Sequence, residues 1–341
     1  MSAPRSLLRA AAAVAFALAA SVAVLAASGA RPLPALTALV AGAAGDRFAL
    51  TDTVLKTCPL LLTGLAVALA FRCGFWNIGA EGQLLMGALA ATTCGSAAHA
   101  APFPLPLVAA LAGAAVAGAS WAALAAILRI VRGVNEIVAT IMLNFIAARV
   151  LGWAVHGPLM EAAARYPQSD LVPATALLPV VAGRIHAGVP LAAALAVVVW
   201  ILLFRTVIGF AWRAVGDSPR AARVAGISPA RALLTAVLAS GALAGLAGGI
   251  EVLGVTGRLF EQFSGGQGYT AIAVALLGRL HPGGVAVAAL FFGALAAGSG
   301  AMQRVAGVSA VFVAIVQAGT LLALIAIEAR PHGPDRSAVA R

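Results

Sequence analysis

Apolar runs about twenty residues long recur along almost the whole of this chain, and they decide what it can fold into. A helix rises 1.5 Å per residue, so each run matches a bilayer core about 30 Å thick. Only 10% of the 341 residues are charged and 62% are hydrophobic, whereas a water-soluble domain carries about 25% charged residues. The mean hydropathy is +1.02. Within lipid every backbone N–H and C=O must find its partner inside the segment, so the runs must be helices. The chain therefore reads as an all-α polytopic membrane protein. Its 37 glycines and low aromatic content, 6%, favour close packing between helices.

About ten transmembrane helices are expected, near 8–28, 54–71, 79–97, 104–128, 136–155, 188–206, 230–254, 269–279, 284–303 and 308–328. The run at 269–279 is short, which makes it a half-helix or a piece of a neighbouring span. The first run begins like a signal peptide, with Arg5 and Arg9 ahead of it and small residues down to Ala30, but it is longer than a signal core. It is retained as the N-terminal span, 1–30. With the N-terminus inside, 14 of the 22 basic residues fall at inner ends and 8 at outer ends, so both termini are expected in the cytoplasm, the last as a tail over 329–341. The net charge of +11 is thus a topology signal, and nucleic acid is not an expected partner. The long outer stretches 30–53 and 156–187 are rich in Pro, Gly and polar residues. Spans two to five (54–155) and seven to ten (230–328) form blocks of similar length, with four spans each, that enter from opposite sides, the arrangement of an inverted repeat with a solute path between its halves. One transmembrane domain is expected over 1–341.

Polar residues inside this apolar text mark the candidate sites. "NIGAEGQ" places Asn77, Glu81 and Gln83 between two spans, punctuated by Gly74, Gly79, Gly82 and Gly87. Two readings fit: Asn77 caps a helix at the membrane surface with Glu81 in its first turn, or the segment lines a water-filled cavity, where an acid is tolerated. Asn144, Glu251 and Gln317 lie within spans and pose the same choice, between hydrogen bonding from helix to helix and a place on a candidate translocation path. Gly241, Gly245 and Gly249 recur every four residues and predict a packing face. Cys58, Cys73 and Cys94 show no metal or redox spacing, and five scattered histidines show no ligand pattern, so no metal site is expected.

The connection 207–229 is the longest expected on the inner side. Within it "DSPRAARVAGIS" reads as a short helix, capped by Asp217 or Ser218, opened by Pro219 and ended by Gly226. Such a helix suits anionic lipid or a docked soluble partner. No phosphate-binding GxxxxGK[ST] loop, HExxH or GxSxG is present, so no catalytic residue is expected, and ATP, if used, is hydrolysed by another chain.

Five blocks in order, "FRCGFWNIGAEGQLLMGA", "NEIVATIMLNFIA", "RAVGDSPRAARVAGIS", "SGALAGLAGGIEVLG" and "GYTAIAVALLG", resemble the permease subunits of bacterial ABC importers of the nucleoside and simple-sugar type, within the group that includes ribose and branched-chain amino-acid permeases. The resemblance covers about 54–328. It implies a multi-pass permease of the inner membrane for a nucleoside or related small polar solute, a simple sugar included. It also implies an ATP-binding cassette ATPase partner that binds ATP and Mg, a second permease chain, and an extracytoplasmic solute-binding lipoprotein. Arg213, Gly216, Asp217, Arg220, Ala221, Arg223 and Gly226 would then form the coupling helix that docks into the ATPase. The alternative from a different class is an ion-coupled secondary transporter with Glu81 or Glu251 as its ion site.

Overall fold

The computed structural model describes residues 32–307 and the single residue Ile315. In chain order its elements are α1 (Pro32–Ala44), α2 (Arg47–Arg72), α3 (Ala80–Ala97), α4 (Leu105–Arg132), α5 (Glu136–His156), a 3-10 turn (Ala174–Ala176), and the short strands β1 (Val180–Ala182) and β2 (Ile185–His186). There follow α6 (Gly188–Arg205), α7 (Val207–Asp217), α8 (Pro219–Val224), α9 (Pro229–Glu251), a π-helical turn (Val252–Thr256), α10 (Gln267–Leu277) and α11 (Pro282–Ala306). The expected spans at 8–28 and 308–328, the tail 329–341 and Gln317 lie outside the described residues.

The chain divides into two units, Ala43–Ala297, and Met1–Gly42 with Gly298–Arg341. In the second, Gly298 of α11 backs onto the Leu39 main chain of α1, and Gly42 onto Ala301. In the first, α2 and α9 are the central helices. Their most apolar windows are 78% and 67% buried, against 28% for α4 and 22% for α6. An apolar helix enclosed on all sides shows no amphipathic stripe, and α2 shows none: its buried residues run without a gap from Cys58 to Ala70. The peripheral helices leave large apolar side chains such as Val116, Leu124, Val197 and Ile201 exposed, as suits a lipid-facing wall.

Six described helices are long and apolar enough to cross a bilayer: α2, α4, α5, α6, α9 with its π turn, and α11. The 18-residue α3 falls short in hydropathy because Glu81 and Gln83 open it, and both are buried against protein. The expected packing face on α9 is real. A Cβ on Gly241 would overlap the Gly118 carbonyl of α4, one on Gly245 the Ala114 carbonyl and one on Gly249 the Ala114 side chain, while beside that face one on Gly248 would overlap the Leu84 carbonyl of α3. Gly87 of α3 meets Gly245 in the same way. Three backbones thus touch directly at α3, α4 and α9.

One boundary differs from the sequence reading, and one alternative is decided. The stretch 30–53 is largely helical, since α1 occupies Pro32–Ala44 and α2 begins at Arg47, capped by the Asp46 carboxylate accepting from Ala49 N at 2.7 Å. The run at 269–279 is a separate helix, α10, of 11 residues. It cannot merge with α9, because the π turn and the Gly257–Gly266 segment, with both end glycines at positive φ, lie between them.

Candidate functional site

The "NIGAEGQ" segment is a re-entrant break. After α2 ends, Gly74 turns the chain at φ 76°, and α3 does not begin until Ala80, with Gly79 in the capping position and no side-chain cap. Asn77 is not the helix cap. It is fully buried and holds the break together. Its Nδ2 donates to Gln83 Oε1 at 3.0 Å and to Ser240 Oγ of α9 at 2.9 Å. Its Oδ1 accepts from Gly79 N at 3.0 Å and from Gln83 Nε2 at 2.9 Å. Ser240 in turn donates to the Ala66 carbonyl of α2 at 2.6 Å. Ala66 stands six residues inside the Arg72 end of α2, about 9 Å at 1.5 Å per residue, so the break penetrates the bundle. Asn144 of α5 completes the fastening, accepting from Gly82 N at 2.8 Å and donating to the Ile78 carbonyl at 2.9 Å. Asn77, Gln83 and Asn144 are therefore braces whose hydrogen-bonding groups are engaged with protein.

Glu81 has a different position. In the first turn of α3, its Oε2 accepts from Gly268 N, in the first turn of α10, at 2.7 Å. A Cβ on Gly268 would overlap the Glu81 backbone, so the two helix starts touch. Each helix N-terminus carries roughly half a positive charge. One carboxylate thus serves two converging N-termini, which accounts for an acid inside an apolar bundle. The Tyr269 amide lies toward the same carboxylate, as does the Ser264 hydroxyl, which meets no hydrogen-bond geometry there.

Glu251 closes α9 at its junction with the π turn. It lies near Lys56 and Cys58 of α2, and the Gln267 side chain reaches it from the first position of α10. Glu81 and Glu251 therefore both meet the same helix start, Gln267–Gly268. Gly254 in the π turn is backed by the buried His186 ring. Burial holds the His186 imidazole below its usual pKa, and its Nδ1 accepts from Gly188 N at 3.2 Å.

At the Arg72 end, the connection 207–229 forms an elbow of two helices where one was expected. Asp217 ends α7, and Ser218 caps α8 by accepting from Ala221 N at 3.3 Å. Gly226 follows at φ 81°, as a helix-stopping glycine does. Arg220, Ala221, Arg223 and Val224 are exposed, Val224 to 91%. Gly216 sits where α7 crosses the end of α2: a Cβ there would overlap the Arg72 carbonyl, and its Cα faces Gly74. Arg72 Nε donates to the Leu280 carbonyl at 3.1 Å. Arg72 and Arg213 both lie over the Phe204 ring, at 5.9 and 5.2 Å. Arg129 of α4 pairs with Glu136 of α5 and covers the Phe75 ring at 5.7 Å. The elbow, the end of α2 and the base of the break thus form one packed unit.

The opposite end is closed by 157–187 folding over the segment after α9. Ser169 N donates to the Leu259 carbonyl at 2.8 Å, Val172 N to Gly257 O at 2.9 Å and Leu178 N to Leu253 O at 2.9 Å. Glu161 accepts from Gln168 Nε2 at 2.6 Å and lies 3.6 Å from Arg258.

The sequence matches the family described as branched-chain amino acid transport system, permease component, over residues 49–325. The chain belongs to this family. It is similar to a glucose ABC transporter permease of Haloferax volcanii, 39% identical over 83% of this chain and 77% of that one. It is also similar to two guanosine ABC transporter permeases of Bacillus subtilis. One is 36% identical over 89% of both chains, the other 32% identical over 71% of this chain and 78% of that one. No solved structure matches. The protein is a multi-pass ABC permease subunit, and the ion-coupled reading gives way to that membership.

Sequence reasoning missed Ser240, Gly268, Ser264 and Gln267. A lone serine in an alanine-rich helix carries no periodic signal. The "SGGQG" run was readable only as a turn, since what it faces is set by the other half of the chain.

Proposed function

We propose that this chain forms the translocation path of an ATP-driven importer for a nucleoside, with a simple sugar as the related solute class. An external binding lipoprotein delivers the solute, and ATP with Mg is hydrolysed by a partner cassette chain. The carrying observation is the continuity of the α7–α8 elbow with the end of α2 and the break above it, through Gly216, Arg72 and Gly74. A push on α8 is delivered to the base of the segment that holds Asn77 and Glu81, which is what coupling to a soluble motor requires. The exposed arginines Arg220 and Arg223 beside Val224 give α8 a charged face with an apolar tip, suited to docking. Arg213, Gly216, Asp217, Ala221 and Gly226 form the rest of that element.

In this reading the arginine-rich end is cytoplasmic, as are both termini, in the inner membrane. The chain is one domain of ten spans, with halves 54–155 and 230–328 related by an inverted repeat. Both halves follow one pattern: a long central helix (α2, α9), a glycine-bounded non-helical segment (73–79, 257–266), then a helix that starts inside the bundle (α3, α10). Glu81 and Gly268 are the second residues of α3 and α10. They meet where the pseudo-symmetry axis of such a repeat would pass. The path runs by Glu81 and Glu251, with Asn77, Gln83 and Asn144 as its braces and Gln317 as a further candidate. A second, different permease chain completes the pair, which the two guanosine permeases of one Bacillus subtilis strain support.

The test is co-purification from the native host in mild detergent, followed by labelled guanosine and glucose uptake. Recovery of an ATPase and a second permease, with binding-protein-dependent uptake of either solute, is the expected result. A chain that elutes alone and follows a proton or sodium gradient refutes it.

A further inference from the structure

At the arginine-rich end, the corner between α6, α7 and the start of α9 holds an open cleft of about 430 Å³, within the range of about 300–1,000 Å³ usual for ligand clefts. Its walls are Leu202 of α6, Ile208, Ala211 and Trp212 of α7, Ile227 of the following turn and Arg231 of α9. Thr235, also in the wall, stands one turn further into the membrane than Arg231, about 6 Å. The cleft thus runs from a cationic end to an apolar one. The polar groups of the wall are engaged with each other: Trp212 Nε1 donates to Thr235 Oγ1 at 2.9 Å, Thr235 Oγ1 donates to the Arg231 carbonyl at 2.9 Å, and Ser228 Oγ accepts from Arg231 N at 3.5 Å. The Arg231 guanidinium is different. It is exposed, and among the described residues it meets no carboxylate and no hydrogen-bond acceptor.

The level of this corner in the bilayer identifies the occupant. α7 turns Gly209, Trp212 and Val215 toward the protein and leaves Val207, Ile208 and Phe210 exposed to 84%, 54% and 57%. A helix with such an apolar outer face, set at the end of a spanning helix, lies in the membrane interface. Trp200, a residue type that anchors at that level, holds the Arg205 guanidinium 5.4 Å from its ring. From 205 to 231 the sequence has five arginines, Arg205, Arg213, Arg220, Arg223 and Arg231, against one acid, Asp217, and that acid acts on Arg72. A field of this sign selects an anion, and apolar walls require that the anion carry hydrocarbon. A zwitterionic headgroup would bring its own cation toward Arg231. α8, whose Arg220, Arg223 and Val224 face outward, contributes nothing to the cleft wall.

We propose that this cleft binds one anionic diacyl phospholipid from the leaflet at this end, with the phosphate on Arg231 and an acyl chain against Leu202, Ile208, Ala211 and Trp212. The lipid fills the angle between the α7–α8 elbow and the spanning helices and splints the elbow against them. The inference rests on the importer reading above only in calling that leaflet cytoplasmic and that elbow a coupling element. The binding itself is independent of what the chain carries.

Native mass spectrometry of the full chain released from detergent tests it, with dioleoyl phosphatidylglycerol and dioleoyl phosphatidylcholine as ligands and glycerol 3-phosphate as competitor. One phosphatidylglycerol is expected to be retained with at least tenfold preference over phosphatidylcholine. Arg231→Gln is expected to weaken phosphatidylglycerol binding at least fivefold, and Arg231→Lys to keep most of it. Arg132→Gln, at an exposed arginine in the last turn of α4, is expected to leave it unchanged. Ala211→Leu, which fills the cleft and leaves Arg231 in place, is expected to weaken binding of both lipids. Equal retention of the two lipids by the wild type, or undiminished phosphatidylglycerol binding by Arg231→Gln, overturns the site. Competition by glycerol 3-phosphate as effective as that of the intact lipid would show a phosphate site alone, and displacement of the lipid by a cassette ATPase would show a protein-covered cleft; either overturns it as well. A wild-type complex that imports neither nucleoside nor sugar refutes the importer reading and leaves the lipid site standing, a separate outcome.

Discussion

Asn77→Ala probes the break most directly. The substitution removes four hydrogen bonds: those to Gln83 Oε1 and Ser240 Oγ, and those from Gly79 N and Gln83 Nε2. Ser240 keeps its bond to the Ala66 carbonyl, so the groups left stranded are the Gly79 N–H and both ends of the Gln83 amide. At about 1 kcal/mol or somewhat more per stranded buried group, the loss is about 3–4 kcal/mol. Thermal unfolding of the purified chain in detergent, at 2–4 °C per kcal/mol, should then shift down by about 6–16 °C. Gln83→Leu in the same background removes the stranded amide as well. The double variant should therefore cost no more than Asn77→Ala alone, a coupling of about 1–2 kcal/mol in the cycle. A shift under 1 °C for Asn77→Ala, or strictly additive losses, would show that the break is not held by this network.

Three further outcomes are expected. Glu81→Gln, which keeps an acceptor for Gly268 N, should retain most uptake, whereas Glu81→Ala should lower it at least tenfold while the ATPase stays bound. Equal effects of the two would remove Glu81 from between the helix starts. Charge reversal at both Arg220 and Arg223 should abolish uptake and ATPase retention on a pull-down while membrane content stays normal, and normal uptake would sink the docking role of α8. Glu161 is held below the usual carboxylate range, first by the Gln168 side chain, then by backbone amides and Arg258. A lowered carboxylate stabilises the closed 157–187 segment above its unfolded pKa near 4.5, and the contribution is lost as pH falls through the lower folded value. Amide exchange at Tyr166 and Gln168, corrected for its intrinsic pH dependence, should therefore quicken relative to the rest of the chain below pH 4.5, and Glu161→Gln should flatten that dependence.

The sequence by itself determined that the apolar runs among the described residues are helices, because such runs in lipid admit little else. The starts of α3, α5 and α6 (80, 136, 188) fall within a residue of the apolar boundaries at 79, 136 and 188. It also determined the α9 glycine face and a helix cap at Asp217 or Ser218, of which the structure takes Ser218. It misled at 30–53, where proline and glycine suggested a loop and the apolar run between them formed α1. Only the tertiary structure decided what the polar residues do. Asn77 and Glu81 lie four positions apart, yet one is spent on α9 and the other on α10, 187 residues further along in the case of Gly268. A hydrogen bond needs its partner within about 3 Å, and nothing in "NIGAEGQ" states which distant helix will supply it. The same limit hid Gly268 and Gln267, which meet Glu81 and Glu251 only once the chain around them has closed.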